Sequence, residues 1–328
     1  MYHFKKGALY AILLFVLFQP AALKAQTDED AIMMEKNNLC IGATYMHSSW
    51  DHYWEGTFKR NNLNLGTVST QQTMLMGTYG ITSKLNVVVG APYVWTHATA
   101  GTLHGQHGVQ DLSAWVKWDA LDKNVGKGVL SVYLLGGGSI PVTNYIADFL
   151  PLSIGMHSKT LSGRLLVDYQ VGNFFATASG TYTARHNITI DRNSYYTTSL
   201  HLTNEVDMPD MASWGLRAGY RSERLILEAV YSDMITLGGF DIRKNDMPFP
   251  SNKMNSTMGG VDFKYTFKKP NALSIVGGAM YTLTGRNVGQ ATSWDLGVFY
   301  VLDFSHRKSK THTSAGAPAD GGMKAKTK

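Results

Sequence analysis

Residues 293–304, Ser-Trp-Asp-Leu-Gly-Val-Phe-Tyr-Val-Leu-Asp-Phe, alternate with a period of two. One face carries Trp294, Leu296, Val298, Tyr300, Leu302 and Phe304; the other carries Ser293, Asp295, Gly297, Phe299, Val301 and Asp303. This period predicts a β-strand, because successive side chains point to opposite sides of a sheet. One face is apolar throughout and aromatic at both ends, and it is backed by small residues and carboxylates. That combination suits a strand with lipid on one side and an aqueous lumen on the other.

The same pattern predicts twelve strands, at about 38–48, 69–81, 84–97, 107–120, 127–139, 160–171, 173–187, 211–222, 224–235, 256–267, 272–284 and 290–304. The connections 81–84, 121–127, 171–173, 222–223 and 268–271 are short, and those at 49–68, 98–106, 140–159, 188–210 and 236–255 are long; 285–289 is the shorter exception. Short periplasmic turns and long outer loops are the asymmetry of outer-membrane barrels, and an even strand count brings both ends to the periplasm. The expected fold is all-β, a transmembrane antiparallel β-barrel of about 12 strands over residues 38–304.

Charge placement agrees. Leu112, Ala114, Val116 and Trp118 oppose Asp111, Lys117 and Asp119; Leu161, Leu165, Val167 and Tyr169 oppose Arg164 and Asp168. Trp214, Leu216 and Tyr220 oppose Arg217 and Arg221, Leu227 and Tyr231 oppose Glu228, and Val261, Phe263 and Tyr265 oppose Asp262 and Lys264. A charge on the lipid side costs about 2–4 kcal/mol at the midplane, which is enough to impose this segregation. Two aromatic rows follow: Tyr79, Trp118, Tyr169, Phe174, Tyr220, Phe267 and Phe304 at the turn ends, and Tyr45, Trp95, Tyr182, Trp214, Tyr231, Tyr281 and Trp294 at the loop ends. Amphipathic rings collect at membrane–water interfaces. Residues 127–139 fit least well, being apolar on both faces and ending in Gly136-Gly137-Gly138. Such glycines mark a bend or the close approach of a loop folded into the lumen.

The chain begins with Lys5-Lys6, a short apolar run over 8–18 and Ala-Leu-Lys-Ala25, the pattern of a signal peptide over 1–25. Residues 26–37 are polar, lack periodicity and read as a short periplasmic lead-in. Cys40 is the only cysteine, which excludes an intramolecular disulfide and a cysteine-based zinc site. The net charge of +6 belongs to the ends: the leader contributes +3 and the tail after Phe304 contributes +5, so residues 26–304 carry −2. The basic balance is therefore no argument for nucleic-acid binding. Residues 305–328 are polar and Lys-rich and are expected to form a disordered basic tail.

The lumen is expected to be lined by Asp111, Lys117, Asp119, Arg164, Asp168, Arg185, Arg217, Arg221, Glu228, Asp262, Lys264, Asp295 and Asp303. Twelve strands fall between barrels filled by side chains and open porins, so these charges either line a narrow pore or act as paired struts. Their balanced signs argue against strong ion selectivity. His97, His104 and His107 share one loop and are weak zinc or copper candidates. Their spacing matches no recognised site, so neither metal nor cofactor is expected. His47-Ser-Ser49 and Asp51-His52 depart from the catalytic motifs of barrel hydrolases, and no enzymatic activity is expected.

Two stretches, Tyr-Gly-Ile-Thr-Ser-Lys-Leu-Asn-Val-Val-Val-Gly-Ala-Pro-Tyr-Val at 79–94 and Gly-Val-Gln-Asp-Leu-Ser-Ala-Trp-Val-Lys-Trp at 108–118, resemble the outer-membrane transporter family associated with the meta-cleavage pathway of phenol degradation. The resemblance implies diffusion of small organic or aromatic compounds across the outer membrane, in the manner of fatty-acid channels. An N-terminal hatch with an Asn-Pro-Ala motif is absent.

The leading expectation is a passive channel or facilitator in a Gram-negative outer membrane. Its partners would be lipid, the barrel-assembly machinery and a small solute, with no nucleic acid. The alternatives are a structural or adhesive barrel with a filled lumen and partner-binding outer loops, and, less favoured, a loop-site hydrolase. The last strand closes the barrel against the first, and its Tyr300-x-Leu302-x-Phe304 ending resembles an assembly signal. Phe304→Ala is therefore expected to lower outer-membrane levels more than any lumen substitution, as read by membrane fractionation and immunoblotting.

Overall fold

The structure, a computed structural model, describes Thr27–Ser305 apart from Asn245 and Asn271. The expected leader over 1–25 and the tail beyond Ser305 lie outside the described residues. Twelve long strands form the barrel: β1 Asn38–Trp50, β2 Val68–Thr82, β3 Leu85–Ala98, β4 Asp111–Val125, β5 Gly128–Pro141, β6 Thr160–Val171, β7 Phe174–Arg185, β8 Met211–Arg221, β9 Leu225–Thr236, β10 Asn255–Thr266, β11 Leu273–Arg286 and β12 Thr292–Asp303. Each pairs antiparallel with its chain neighbour, and β12 returns to β1 in register from Asn38↔Asp303 to Ser49↔Thr292. Closure satisfies every strand edge, the one way a sheet can cross hydrocarbon. No helix among the described residues is long and apolar enough to cross a membrane.

The predicted parity holds around the wall. Trp118, Leu161, Leu216, Val261 and Leu296 point outward and are exposed, while Lys117, Asp168, Arg221 and Lys264 point inward and are buried. At the loop end the outer aromatics pack edge by edge. Tyr45 lies 5.6 Å from Trp294 and 6.1 Å from Trp95, and Trp95 lies 6.0 Å from Tyr93. At the turn end Phe174 meets Tyr220 at 5.9 Å.

Two local features shape the interior. Pro92 cannot donate to a ladder. The β3–β4 pairing stops at Gly90↔Ser113 and resumes beyond Gln110, where the short strand His107–Val109 continues along Tyr93–Trp95. Gln110 N bridges the gap to Pro92 O at 3.0 Å. On β5, Gly137 faces inward, and a Cβ there would overlap the Trp115 ring. The glycine accommodates that ring, which in turn lies under the Arg164 guanidinium at 4.8 Å.

The segment expected to be a periplasmic lead-in takes a different course. From Asn37, whose φ is +61°, the chain ahead of β1 runs back inside the barrel. Asparagine tolerates this left-handed turn better than most residues. Asn37 N donates to Gly80 O at 2.8 Å, and Phe304 N donates to Asn37 O at 2.9 Å, so one residue ties the strap to β2 and to the end of β12. A Cβ at Gly80 would collide with the Glu35 backbone, so that glycine lets the strap pass. Ala31 then packs on Tyr133, Leu135 and Leu166, with Met33 alongside. This packing explains the second apolar face of β5: close approach by a lumenal segment is the alternative realised, and the segment is the one that precedes β1.

The long loops fold over the opposite mouth. Leu152 is fully buried against Leu65 and Val68, and Tyr145 and Ile154 pack on the inward-facing Val94. A second cluster joins Ala147, Ile188, Ile190, Tyr195, Val206 and Met208. The loops also contain short hairpins, His52–Glu55 with Phe58–Asn61 and Ile188–Thr189 with Glu205–Val206. Asp241 links two loops through Arg286, whose guanidinium holds its carboxyl down at about 2.

Leu296→Arg, near the middle of β12 and facing outward, is expected to destabilise the barrel by about 2–4 kcal/mol, whereas Asp295→Asn should cost far less. Reversible unfolding in bilayers with each variant measures the difference.

Candidate functional site: a strapped lumen

Lys117 is the most deeply buried cation of the wall, with its side chain 1% exposed. Its strand neighbours in register are Asn86 and Leu135. The Asn86 amide is already engaged, accepting from Met34 N at 2.7 Å and donating to Met34 O at 3.0 Å. Leu135 offers no acceptor. The strap supplies what the wall lacks: Lys117 Nζ donates to the carbonyls of Thr27 at 3.1 Å, Asp30 at 2.5 Å and Ile32 at 2.9 Å, and to the Asp30 carboxylate at 3.0 Å.

Three consecutive acids of the strap meet cations from three strands. Asp28 accepts from Arg164 Nη1 through its carbonyl at 2.9 Å and its carboxylate at 3.1 Å. Glu29 pairs with Arg217 Nη2 at 2.8 Å, and Asp30 pairs with Lys117. Arg217 Nη1 is also held by two wall acids, Glu228 at 2.7 Å and Asp262 at 2.9 Å. Nearer the turn end, Arg221 grips Asp168 at 3.0 and 3.2 Å and lies 3.7 Å over the Phe175 ring. Thr177 donates to the same carboxylate.

Between the strap and the far wall lies a cavity of about 460 Å³. One side is charged, with Asp28, Glu29, Asp30, Arg217, Glu228, Asp262, Lys264 and Asp295. The other is apolar, with Met74, Met76, Val88, Val276 and Phe299. A second cavity, of about 590 Å³, lies between the strap and the turn-end residues of β4–β6, including Lys127, Tyr133 and Gln170. On the lipid side, small residues at Gly77, Ala91, Ala114 and Gly138 leave a groove of about 650 Å³ near the β3–β4 gap. Met76, Val89, Gly90 and Ser113 border both that groove and the central cavity, so the wall is thin there.

The structure therefore sorts the expected lumen residues. Lys117, Arg164, Arg217, Glu228, Asp262, Lys264 and Asp295 gather around the strap and central cavity. Asp168 and Arg221 form a separate buried pair. Asp111 and Asp119 lie away from this centre: Asp111 accepts from Tyr145 of the inward loop at 2.6 Å, and Asp119 is 3.9 Å from Lys84 at a turn. Arg185 is at the loop end, against Met211. Asp303 is at the turn end, where it accepts from Ser305. His97, His104 and His107 do not converge; among the described residues no group of three or more His, Cys, Asp or Glu is placed to hold a metal ion. His107 instead contacts Tyr93 at 3.0 Å, His47 packs on Trp294, and His52 pairs with Asp51. Sequence reasoning missed the strap acids and the apolar half of the lumen. The signals available were three successive carboxylates in an unpatterned segment, and Phe299 and Val301 on the otherwise small and acidic face of β12.

These features define an outer-membrane-type β-barrel whose lumen is crossed by its own N-terminal segment. No family model matches the sequence, and no curated protein does. Among solved structures the chain is similar to an outer-membrane channel from Pseudomonas putida F1, with a TM-score of 0.65 and 14% identity over 85% of this chain and 100% of that one. It is more distantly similar to the translocator domain of the autotransporter NalP from Neisseria meningitidis, with a TM-score of 0.43 and 11% identity over 90% of this chain and 94% of that one. The first likeness establishes a shared barrel fold; the second is too slight to bear on it.

Removing the Lys117 ammonium takes a donor from three carbonyls and the counter-charge from the Asp30 carboxylate, so Lys117→Met is expected to loosen the strap by about 3 kcal/mol or more. Faster protease cleavage within residues 27–37, with the barrel strands still resistant, is the expected readout.

Proposed function

We propose that the protein is a channel or facilitator in a Gram-negative outer membrane, passing small molecules with an apolar, including aromatic, body. The observation that carries this reading is the central cavity, with an apolar wall facing a charged one inside a closed barrel. A lumen meant only for ions or sugars gains nothing from Met74, Met76, Val88 and Phe299 on its surface. A packed structural core would not leave about 460 Å³ open beside a charged strap. The cavity lies within the usual range of small-ligand sites, roughly 300–1,000 Å³. The thin wall near Gly90 and Ser113 offers apolar solutes a short route between the cavity and the membrane. The resemblance of residues 79–94 and 108–118 to transporters associated with phenol degradation supports the same solute class, and the likeness to the Pseudomonas putida channel supports the barrel fold.

A second reading has one observation in its favour: the strap and the loop bearing Tyr145 and Leu152 both occupy the lumen. On that reading the barrel is a filled scaffold, and its outer loops do the work.

Proteoliposomes carrying the protein are expected to take up phenol or a similar small aromatic faster than empty liposomes. They should also show small, steady single-channel conductance that rises in Lys117→Met. Uptake no faster than in empty liposomes, with electrical silence in both proteins, would overturn the channel and favour the filled scaffold.

A further inference from the structure

The three acids of the strap are not held alike. Asp28 and Asp30 each present a cation with both a carboxylate and their own backbone carbonyl, and their side chains are only 24% and 21% exposed. Glu29 has a single ion-pair contact, with Arg217 Nη2, and its side chain is 57% exposed on the wall of the central cavity. Arg217 is meanwhile anchored from its other arm by Glu228 and Asp262. Those two bonds keep the guanidinium in place whether or not Glu29 is present. Its Nη2, bonded among the described residues to Glu29 only, stands at the edge of a space whose far side is apolar.

We propose that Arg217 Nη2 is a carboxylate-binding subsite with Glu29 as its resident, exchangeable occupant, and that the solutes it takes are small amphipathic carboxylates. This rests on the channel reading above and names its solute class. The apolar body of such a solute lies against Met74, Met76, Val88 and Phe299 while its carboxylate replaces that of Glu29. The exchange puts one carboxylate where another was on Arg217, so that guanidinium stays paired, while the lumen as a whole gains one negative charge. No buried cation is left unpaired; the displaced Glu29 carboxylate, already more than half exposed, is the group that must be solvated in the cavity. Glu29 swings into the cavity on its flexible stem while Asp28 and Asp30 keep the strap seated. A neutral molecule of the same shape fills the apolar wall and cannot displace Glu29. A cation meets the Arg217 guanidinium.

Benzoate and benzamide separate these cases, because they share a ring and differ in charge. Calorimetric titration of the folded full-length mature protein in detergent, corrected against protein-free micelles, is expected to show tighter binding of benzoate than of benzamide. Glu29→Gln removes the competing carboxylate, so benzoate should bind about tenfold tighter, a change of roughly 1.4 kcal/mol, with benzamide unchanged. Arg217→Lys keeps a charge but loses the fork, and should cut the preference for benzoate. An unchanged benzoate-to-benzamide ratio in Glu29→Gln overturns the subsite, as does a full preference surviving in Arg217→Lys. Passage in proteoliposomes is read separately. Equal acceleration of both probes over empty liposomes leaves the channel standing and removes the subsite, and acceleration of neither removes the channel whatever the titration shows.

Discussion

A lysine ammonium buried in the wall of a narrow barrel must find acceptors, and among the described residues Lys117 finds its hydrogen-bond acceptors in the strap. Its register neighbours are an asparagine already committed to Met34 and a leucine. Leaving the charge unpaired would cost several kcal/mol, and together with the Asp28 and Glu29 ion pairs and the packing of Ala31 and Met33 this offsets the backbone entropy of ordering the strap. The segment ahead of β1 is therefore drawn into the lumen, where three carbonyls and a carboxylate close around one nitrogen. Much of the interior follows from this. Ala31 and Met33 are brought against β5 and give Tyr133 and Leu135 a reason to be apolar on an inward face. Gly80 and Asn37 are needed where the strap turns and passes β2.

The strap also divides the lumen. Its acids and their cations gather on one side, so the opposite side, built from Met74, Met76, Val88, Val276 and Phe299, is free to be apolar. Polar groups on the charged side are paired among themselves: Arg217 with three carboxylates, Arg164 with Asp28, and Arg221 with Asp168 in a pair of its own. Paired charges in a confined space leave little net field, as the balanced signs of the wall imply. At the opposite mouth the inward loop, pinned by Tyr145 to Asp111, narrows the approach. The lumen thus holds two elements secured in different ways: a strap fixed by ion pairs, and a loop fixed by apolar packing around Leu152 and Ile154.

How much of this could be read beforehand depends on range. Alternation is local, so Trp118 beside Lys117, or Leu296 beside Asp295, reveals which side faces lipid without knowledge of any partner strand. The twelve strands, the inward charges, both aromatic rows and the closure of β12 on β1 were legible for that reason. The two faces of β5 were legible only as an anomaly, because the element that explains them lies a hundred residues away. Residues 27–36 carry no period, since an irregular strap makes each contact through a different group, here a carbonyl and there a carboxylate or a methyl. Its conformation is decided by the cations it meets.

The sequence by itself thus determined a membrane barrel and the sidedness of nearly every wall residue, because lipid and water act on each strand separately. Tertiary structure alone decided which lumen charges meet, that Asp28, Glu29 and Asp30 are their partners, and that half of the lumen is apolar. Those outcomes depend on distances across the barrel, and a period of two records the side of the sheet a residue faces and nothing of what stands opposite.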